Sequence, residues 1–281
     1  MSLLAAARSL APIKQGFALS HGSRIAWKLY GEGGGVVLFI PTWNIVDSRV
    51  VAHQVAFLAR HARVLTFDPR GAGESDRPRT GYGFAEHSDD ARAVLDANGV
   101  ERASVVTASR GINAAVLLAA RHPERVERLA VIAPYMQLDR AEPDEARRDR
   151  ERTAAVWRSD WPGFVRGFME RVISEPNSRD TIDELVEIGL EASPEVLIQQ
   201  ETELDWEVAP PLLAQVRCTT LVIHGTGDRT TPLEMVRAVT SALAHGRLVL
   251  IEGAGHRPDI RAPERVNALL SQFLSSEVTA P

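Results

Sequence analysis

The chain has 281 residues, 44% hydrophobic and 25% charged, a balance that marks a globular protein large enough to bury a full core without covalent staples. Lys and Arg number 32 against 37 Asp and Glu, a net charge of −5, which argues against nucleic acid as partner because such modules carry a basic excess. One cysteine, Cys218, excludes an intrachain disulfide, no apolar run approaches the roughly 18 residues of a membrane span, and the opening MSLLAAARSLAPIKQG lacks the pattern of a secretory signal, so a cytoplasmic protein without membrane insertion is expected.

Residues 16–20 and 24–30, joined by His21-Gly22-Ser23, predict a half-exposed hairpin, with Ile25, Trp27 and Leu29 on one face. After a glycine-rich link at 31–35, Val36-Val37-Leu38-Phe39-Ile40 is apolar throughout, which suits a strand covered on both faces by helices. Runs of the same character follow at 64–67, 103–107, 129–132, 221–223 and 248–251. Between them lie helix-period segments at 48–61, 86–98, 109–122, 232–244 and 263–273. The last two open on Pro232 and Pro263, residues suited to a first helical turn. This alternation predicts an α/β fold with a mostly parallel, eight-stranded sheet flanked by helices.

From 135 to 217 the alternation stops, over a length too great for a bare loop. Four helices are expected there, at 139–158, 161–173, 181–191 and 194–202, the second with Phe164, Val165, Phe168, Met169 and Val172 on one face. The chain thus divides into a core of 1–134 and 218–281 and an inserted helical cap of 135–217. The cap should sit above the C-terminal strand ends, where open α/β sheets bind ligands. For any one of Trp157, Trp161, Phe164, Phe168 and Trp206, packing is the expected role ahead of recognition. Where the cap does meet substrate, Phe164 and Phe168 are the candidates.

The segment Val105-Val106-Thr107-Ala108-Ser109-Arg110-Gly111 leads from an apolar strand through a small-x-Ser-x-Gly turn into an alanine-rich helix. That is the setting of a nucleophile elbow, which holds a serine in strained backbone and exposes its oxygen. Gly111 meets the need for a small residue two after the serine; Thr107, two before it, meets that need less well. A serine hydroxyl requires a base, and the base an orienting acid. Asp228 follows the strand at 221–223, and the glycine-flanked His256 follows 248–251, both at the sheet edge that carries Ser109. The simpler roles are a helix cap for Ser109 or Asp228 and a hydrogen-bonded loop residue for His256; three strand ends agreeing in type and order outweigh them. His224 is expected to be structural, and Asp68 and Arg70 to tie down their own loop. No spacing such as H-x-x-x-H calls for a metal, and the glycines at 31–35 and 71–73 form neither a phosphate loop nor a dinucleotide fingerprint, so no cofactor is expected.

Two further segments complete the pattern. Asp68-Pro69-Arg70-Gly71-Ala72-Gly73-Glu74-Ser75 matches a D-x-R-G-x-G-x-S loop, and His122-Pro123-Glu124-Arg125-Val126 follows the elbow helix. With these the chain resembles a capped, single-domain serine hydrolase of the α/β-hydrolase superfamily, over almost its whole length. The resemblance implies Ser109 as nucleophile, Asp228 as acid and His256 as general base. Where that family has His-Gly after its third strand, this sequence has Pro41-Thr42-Trp43. The oxyanion donors implied are the backbone N–H groups of Arg110 and Trp43, with Thr42 as second choice, since Pro41 has no N–H.

Trp43 and Arg110 are also candidates to touch substrate. The Arg110 guanidinium could fork onto an anionic substrate or pair with an acid such as Glu74 or a cap carboxylate, the latter slightly favoured. A serine at the elbow, rather than an aspartate, sets aside the dehalogenase and epoxide hydrolase branches. The implied activity is hydrolysis of a small-molecule ester, thioester, lactone or C–C bond next to a carbonyl, through an acyl-enzyme. An acyltransferase or cofactor-free perhydrolase with the same triad, and a non-catalytic ligand-binding member of the fold, stay open, as does a homodimer.

Overall fold

The structure is a computed structural model that describes residues 1–138 and 143–275, with side chains for all of these but 143–150. It opens with a helix the sequence did not announce, α1 (Leu3–Ser9). Ser2 caps it, and the Glu184 carboxylate accepts from the Leu3 and Leu4 N–H groups at 2.9 and 3.4 Å. Strands β1 (Lys14–Ser20) and β2 (Ser23–Tyr30) form the expected hairpin. Its two-residue turn places both His21 and Gly22 at positive φ, the conformation that lets a tight turn follow the twist of its strands.

Strand β3 (Val36–Ile40) leads to a departure from expectation. The single helix expected at 48–61 is a 3₁₀ turn, Ser48–Val51, followed by a short α2 (Ala52–Leu58). The Asp47 carboxylate accepts from the Arg49 N–H and that of Asp68 from the Ser48 N–H, which draws the backbone into the tighter turn. Strand β4 (Arg63–Phe67), α3 (Phe84–Ala97), β5 (Ala103–Ala108), α4 (Gly111–Arg121) and β6 (Val126–Ile132) follow.

Four helices separate β6 from the next strand: α5 (Pro143–Ser159), α6 (Trp161–Val172), α7 (Arg179–Gly189) and α8 (Pro194–Glu203). The expected start of the first at 139–142 lies outside the described residues. The chain then returns through β7 (Thr219–Gly225), α9 (Leu233–Ala242), β8 (Gly246–Ile251), a one-turn α10 (Pro258–Arg261) and α11 (Pro263–Ser275). Pro232 is the N-cap of α9 rather than its first helical residue.

The eight strands form one sheet in the order β1-β2-β4-β3-β5-β6-β7-β8, and β2 alone runs against the rest. The all-apolar runs are explained by their two faces. In β3, Val36, Leu38 and Ile40 join a core that includes Val94 and Leu95 of α3 and Leu117 of α4; Val37 and Phe39 join a second core with Val55 of α2 and Val266 of α11. A third cluster lies above the strand ends, where Val165, Met169, Leu185 and Leu197 of the inserted region meet Trp43, Ile45, Leu3 and Leu4. The inserted region is thereby seated over the sheet edge on which β5, β7 and β8 end.

Candidate active site

Ser109 occupies the tight turn between β5 and α4, with φ at +50°. That left-handed backbone is unfavourable for a side-chain-bearing residue and persists only where neighbours enforce it. They do so here: the Ser109 N–H donates to the Ile132 carbonyl at 2.9 Å, and its carbonyl accepts from the Tyr135 N–H at 3.1 Å. The misgiving over Thr107 is resolved by geometry. Its hydroxyl donates to the Ile40 carbonyl at 3.0 Å and sits in the space Gly111 leaves free, where a Cβ would fall 2.1 Å from Thr107 Oγ1 and 2.7 Å from the Pro41 oxygen. The missing side chain at Gly111 makes room for the threonine.

His256 follows β8 and is 2% exposed. Its Nε2 lies 2.9 Å from Ser109 Oγ and its Nδ1 2.7 Å from Asp228 Oδ2. With the carboxylate ionised, Nδ1 carries the ring proton and Nε2 is left to accept from the serine hydroxyl. Asp228, its side chain fully buried after β7, spends its other oxygen on the Thr230 and Thr231 N–H groups at 2.7 and 3.0 Å. It therefore braces its own turn and not α9. Burial alone would raise this carboxyl, but the hydrogen bond and charge of His256, with the two N–H donors, hold it below the ordinary carboxylate range. The loops carrying acid and base are stitched together: the Gly227 N–H donates to Ala254 O at 2.8 Å, and a Cβ on Gly225 would fall 2.2 Å from that same oxygen.

Ser109 and His256 open onto a cavity of about 460 Å³ including its mouth. Thr42, Trp43, Arg110 and Phe168 line it, with Val46, Met169, Val172, Leu185 and Arg257. Phe164 does not. Its ring packs on Trp157, Trp161, Trp43 and Phe168 at 5.0 to 6.4 Å, one layer behind the wall, because it stands a helical turn before Phe168 on α6. Of the two readings of Arg110, the structure gives the ion pair, and with an acid from the inserted region: Nη1 donates to Glu201 on α8. Glu74 is taken by Lys28.

The remaining expectations find their places away from the reacting atoms. His224 is 1% exposed, with Nδ1 3.6 Å from Asp228 Oδ2, and burial pushes its pKa down despite that carboxylate. Arg70 makes a buried two-point pair with Asp90, both contacts at 2.7 Å, and Asp68 accepts from the Ser48 and Glu74 N–H groups, so both tie down their loop. Two neighbours of the base went unnoticed in the sequence. Arg257, buried and paired with Asp259, lines the cavity, and Glu175 of the inserted region accepts from the Gly255 N–H at 2.8 Å. Position beside His256 was a signal for Arg257; nothing local pointed to Glu175. Among the described residues no group of three or more His, Cys, Asp or Glu could hold a metal ion, and no helix is long and apolar enough to cross a membrane.

A family model described as alpha/beta hydrolase fold matches residues 35–258. The RutD protein of Caulobacter sp. (strain K31) is 31% identical over 235 residues, covering 80% of this chain and 85% of that protein. A 2-hydroxymuconate semialdehyde hydrolase from Pseudomonas sp. is 28% identical over 261 residues, covering 88% of this chain and 85% of the relative. Among solved structures, the enol-lactonase of Burkholderia xenovorans LB400 superimposes with a TM-score of 0.82 at 23% identity, over 93% of this chain and all of that one.

Proposed function

The chain belongs to the α/β-hydrolase fold family, and on that premise we propose that it hydrolyses a small-molecule ester, thioester, lactone or C–C bond next to a carbonyl through an acyl-enzyme on Ser109. The observation that carries the reading is the unbroken relay Ser109 Oγ–His256 Nε2, 2.9 Å, and His256 Nδ1–Asp228 Oδ2, 2.7 Å, on a serine held at positive φ. His256 takes the Ser109 proton as the oxygen attacks the acyl carbon, and Asp228 stabilises the imidazolium that forms. The backbone N–H groups of Arg110 and of Trp43 or Thr42 face the developing oxyanion, each worth roughly 10²–10³ in rate. Collapse expels the leaving group, protonated by His256, and water activated by the same ring then releases the acid. Residues 135–217 act as a cap whose α6 supplies Phe168, Met169 and Val172 to the acyl pocket. By its name the 2-hydroxymuconate semialdehyde hydrolase, 28% identical, is a hydrolase, which supports the reading.

The decisive experiment is labelling with a fluorophosphonate, read by intact mass. One adduct on the wild type and none on Ser109→Ala is expected. An unlabelled wild type, or a labelled variant, refutes the nucleophile and leaves a ligand-binding role. Incubating an activated ester with an alcohol or peroxide acceptor and weighing both products separates hydrolysis from acyl transfer.

A further inference from the structure

Arg110 follows the nucleophile directly, so the elbow fixes its backbone; the residue lines the Ser109 cavity, and its guanidinium lies beside the ring of Trp43, which also lines it. A guanidinium in such a place is by default an anion-binding group, with planar donors that match a carboxylate. Here it is already satisfied. Glu201, 18% exposed, is its ionic partner, and the rings of Trp206, Trp43 and Tyr135 lie 5.1, 5.2 and 5.8 Å from its central carbon. Arg257, the other cation of the wall, is equally committed, with Asp259 on its Nε and Nη2 at 2.9 and 2.6 Å. The rest of the wall is chiefly apolar, with Val46, Phe168, Met169, Val172 and Leu185.

From this we infer that Glu201 masks Arg110, and that this masking makes the pocket select neutral, apolar acyl groups over anionic ones. The inference rests on the serine hydrolase reading for its substrate, though not for the masking itself. A substrate carboxylate brought to Arg110 meets the Glu201 carboxylate already on the same guanidinium, and like charges in a partly desolvated wall repel. Removing the Glu201 charge turns the wall cationic and the site into an anion receptor. The change should be local, because α8 is held independently. Glu203 accepts from the Gly81 and Tyr82 N–H groups, both at 2.6 Å, and Gln200 donates to Asn44.

The test compares 4-nitrophenyl hexanoate with mono-4-nitrophenyl adipate, six-carbon acyl groups that differ by a terminal carboxylate. The wild type should favour the neutral ester in kcat/KM by at least about tenfold, and Glu201→Gln should raise the anionic-to-neutral ratio by at least about tenfold. Arg110→Gln on top of Glu201→Gln should cancel that gain, which a merely structural role for Glu201 would not. In a Ser109→Ala background, adipate should quench tryptophan fluorescence from Trp43 and Trp206 only when Glu201 is also Gln. That binding result stands even if neither ester is hydrolysed, in which case the hydrolase reading fails alone. Equal wild-type rates for the two esters overturn the masking without any variant. So does an unchanged ratio in a folded Glu201→Gln protein, or a gain that survives loss of Arg110.

Discussion

Gly111→Ala should be far more damaging than a methyl group in a helix suggests. An ordinary close contact is about 3.4 Å, whereas the added Cβ would stand 2.1 Å from Thr107 Oγ1 and 2.7 Å from the Pro41 carbonyl oxygen. Relief of about 1 Å is needed, and both neighbours resist. Turning the threonine aside breaks its hydrogen bond to Ile40 O and strands two buried polar atoms, at roughly 1–3 kcal/mol. Moving the Pro41 carbonyl drags Thr42 and Trp43, the proposed oxyanion donors. Overpacking of this kind costs about 1–3 kcal/mol, less up to about 1 kcal/mol returned by the better helix propensity of alanine. With both costs counted and that return subtracted, the net expectation is a loss of about 1–6 kcal/mol in urea unfolding. Displacing a catalytic group by such a distance also costs about 10²-fold, so kcat for 4-nitrophenyl hexanoate should fall by that factor. Adding Thr107→Ala should restore much of the stability, since it removes the nearer obstruction, and the activity still missing then measures the Pro41 share. A Gly111→Ala enzyme with wild-type midpoint and kcat within twofold would refute the account of the elbow.

Asp228→Asn should retain the fold, because an amide oxygen can still accept from Thr230 and Thr231, yet lose on the order of 10⁴-fold in kcat by presenting His256 in the wrong tautomer; a loss below tenfold refutes the relay. His87 is a buried base on α3 whose pKa burial pushes down to about 4, with Arg70 adding to the effect and Asp90 opposing it. The unfolded chain binds that proton first as the pH drops, so stability should be full above pH 6.5 and decline toward pH 4 by about 3 kcal/mol from this group. His87→Phe should flatten that part of the curve, as read from urea midpoints at pH 7.5 and 4.5, and an unchanged slope counts against it. Asp90→Leu leaves Arg70 buried without its partner and should cost about 3–5 kcal/mol; a loss under 1 kcal/mol would show that pair to be dispensable.

The elements that signal themselves in the sequence do so because their constraint is local. An all-apolar run such as 36–40, bounded by Gly35 and Pro41 and rich in β-branched residues, suits a strand covered on both faces, and the turns holding Ser109, Asp228 and His256 each carry the small residues that a sharp strand exit needs. What stayed hidden depends on partners far along the chain. Glu201 lies 91 residues from the arginine it neutralises, and Glu175 lies 80 from the N–H it accepts, distances over which periodicity is silent. The split at 48–51 depends on the Asp68 carboxylate 20 residues away, and α1 on a carboxylate 181 residues away, so helical spacing alone extended one helix and missed the other. Phe164 and Phe168 share a helix face one turn apart, and which of them lies over the cavity depends on where α6 is seated on the core, which its own sequence does not state.

Beside its apolar packing, the inserted region reaches the core through several acidic side chains, and this bears on how such a region could be exchanged. Glu184 receives the Leu3 and Leu4 N–H groups, Glu203 those of Gly81 and Tyr82, and Glu175 that of Gly255. In these three attachments the core offers only main chain, which is present whatever residue is encoded there. At these three points a foreign insertion would need to bring its carboxylates in register, while the core would need no particular residue. Glu191 and Glu201 instead call for particular core side chains, Arg49 and Arg110, and a graft that ignored the second partnership would change what the pocket admits.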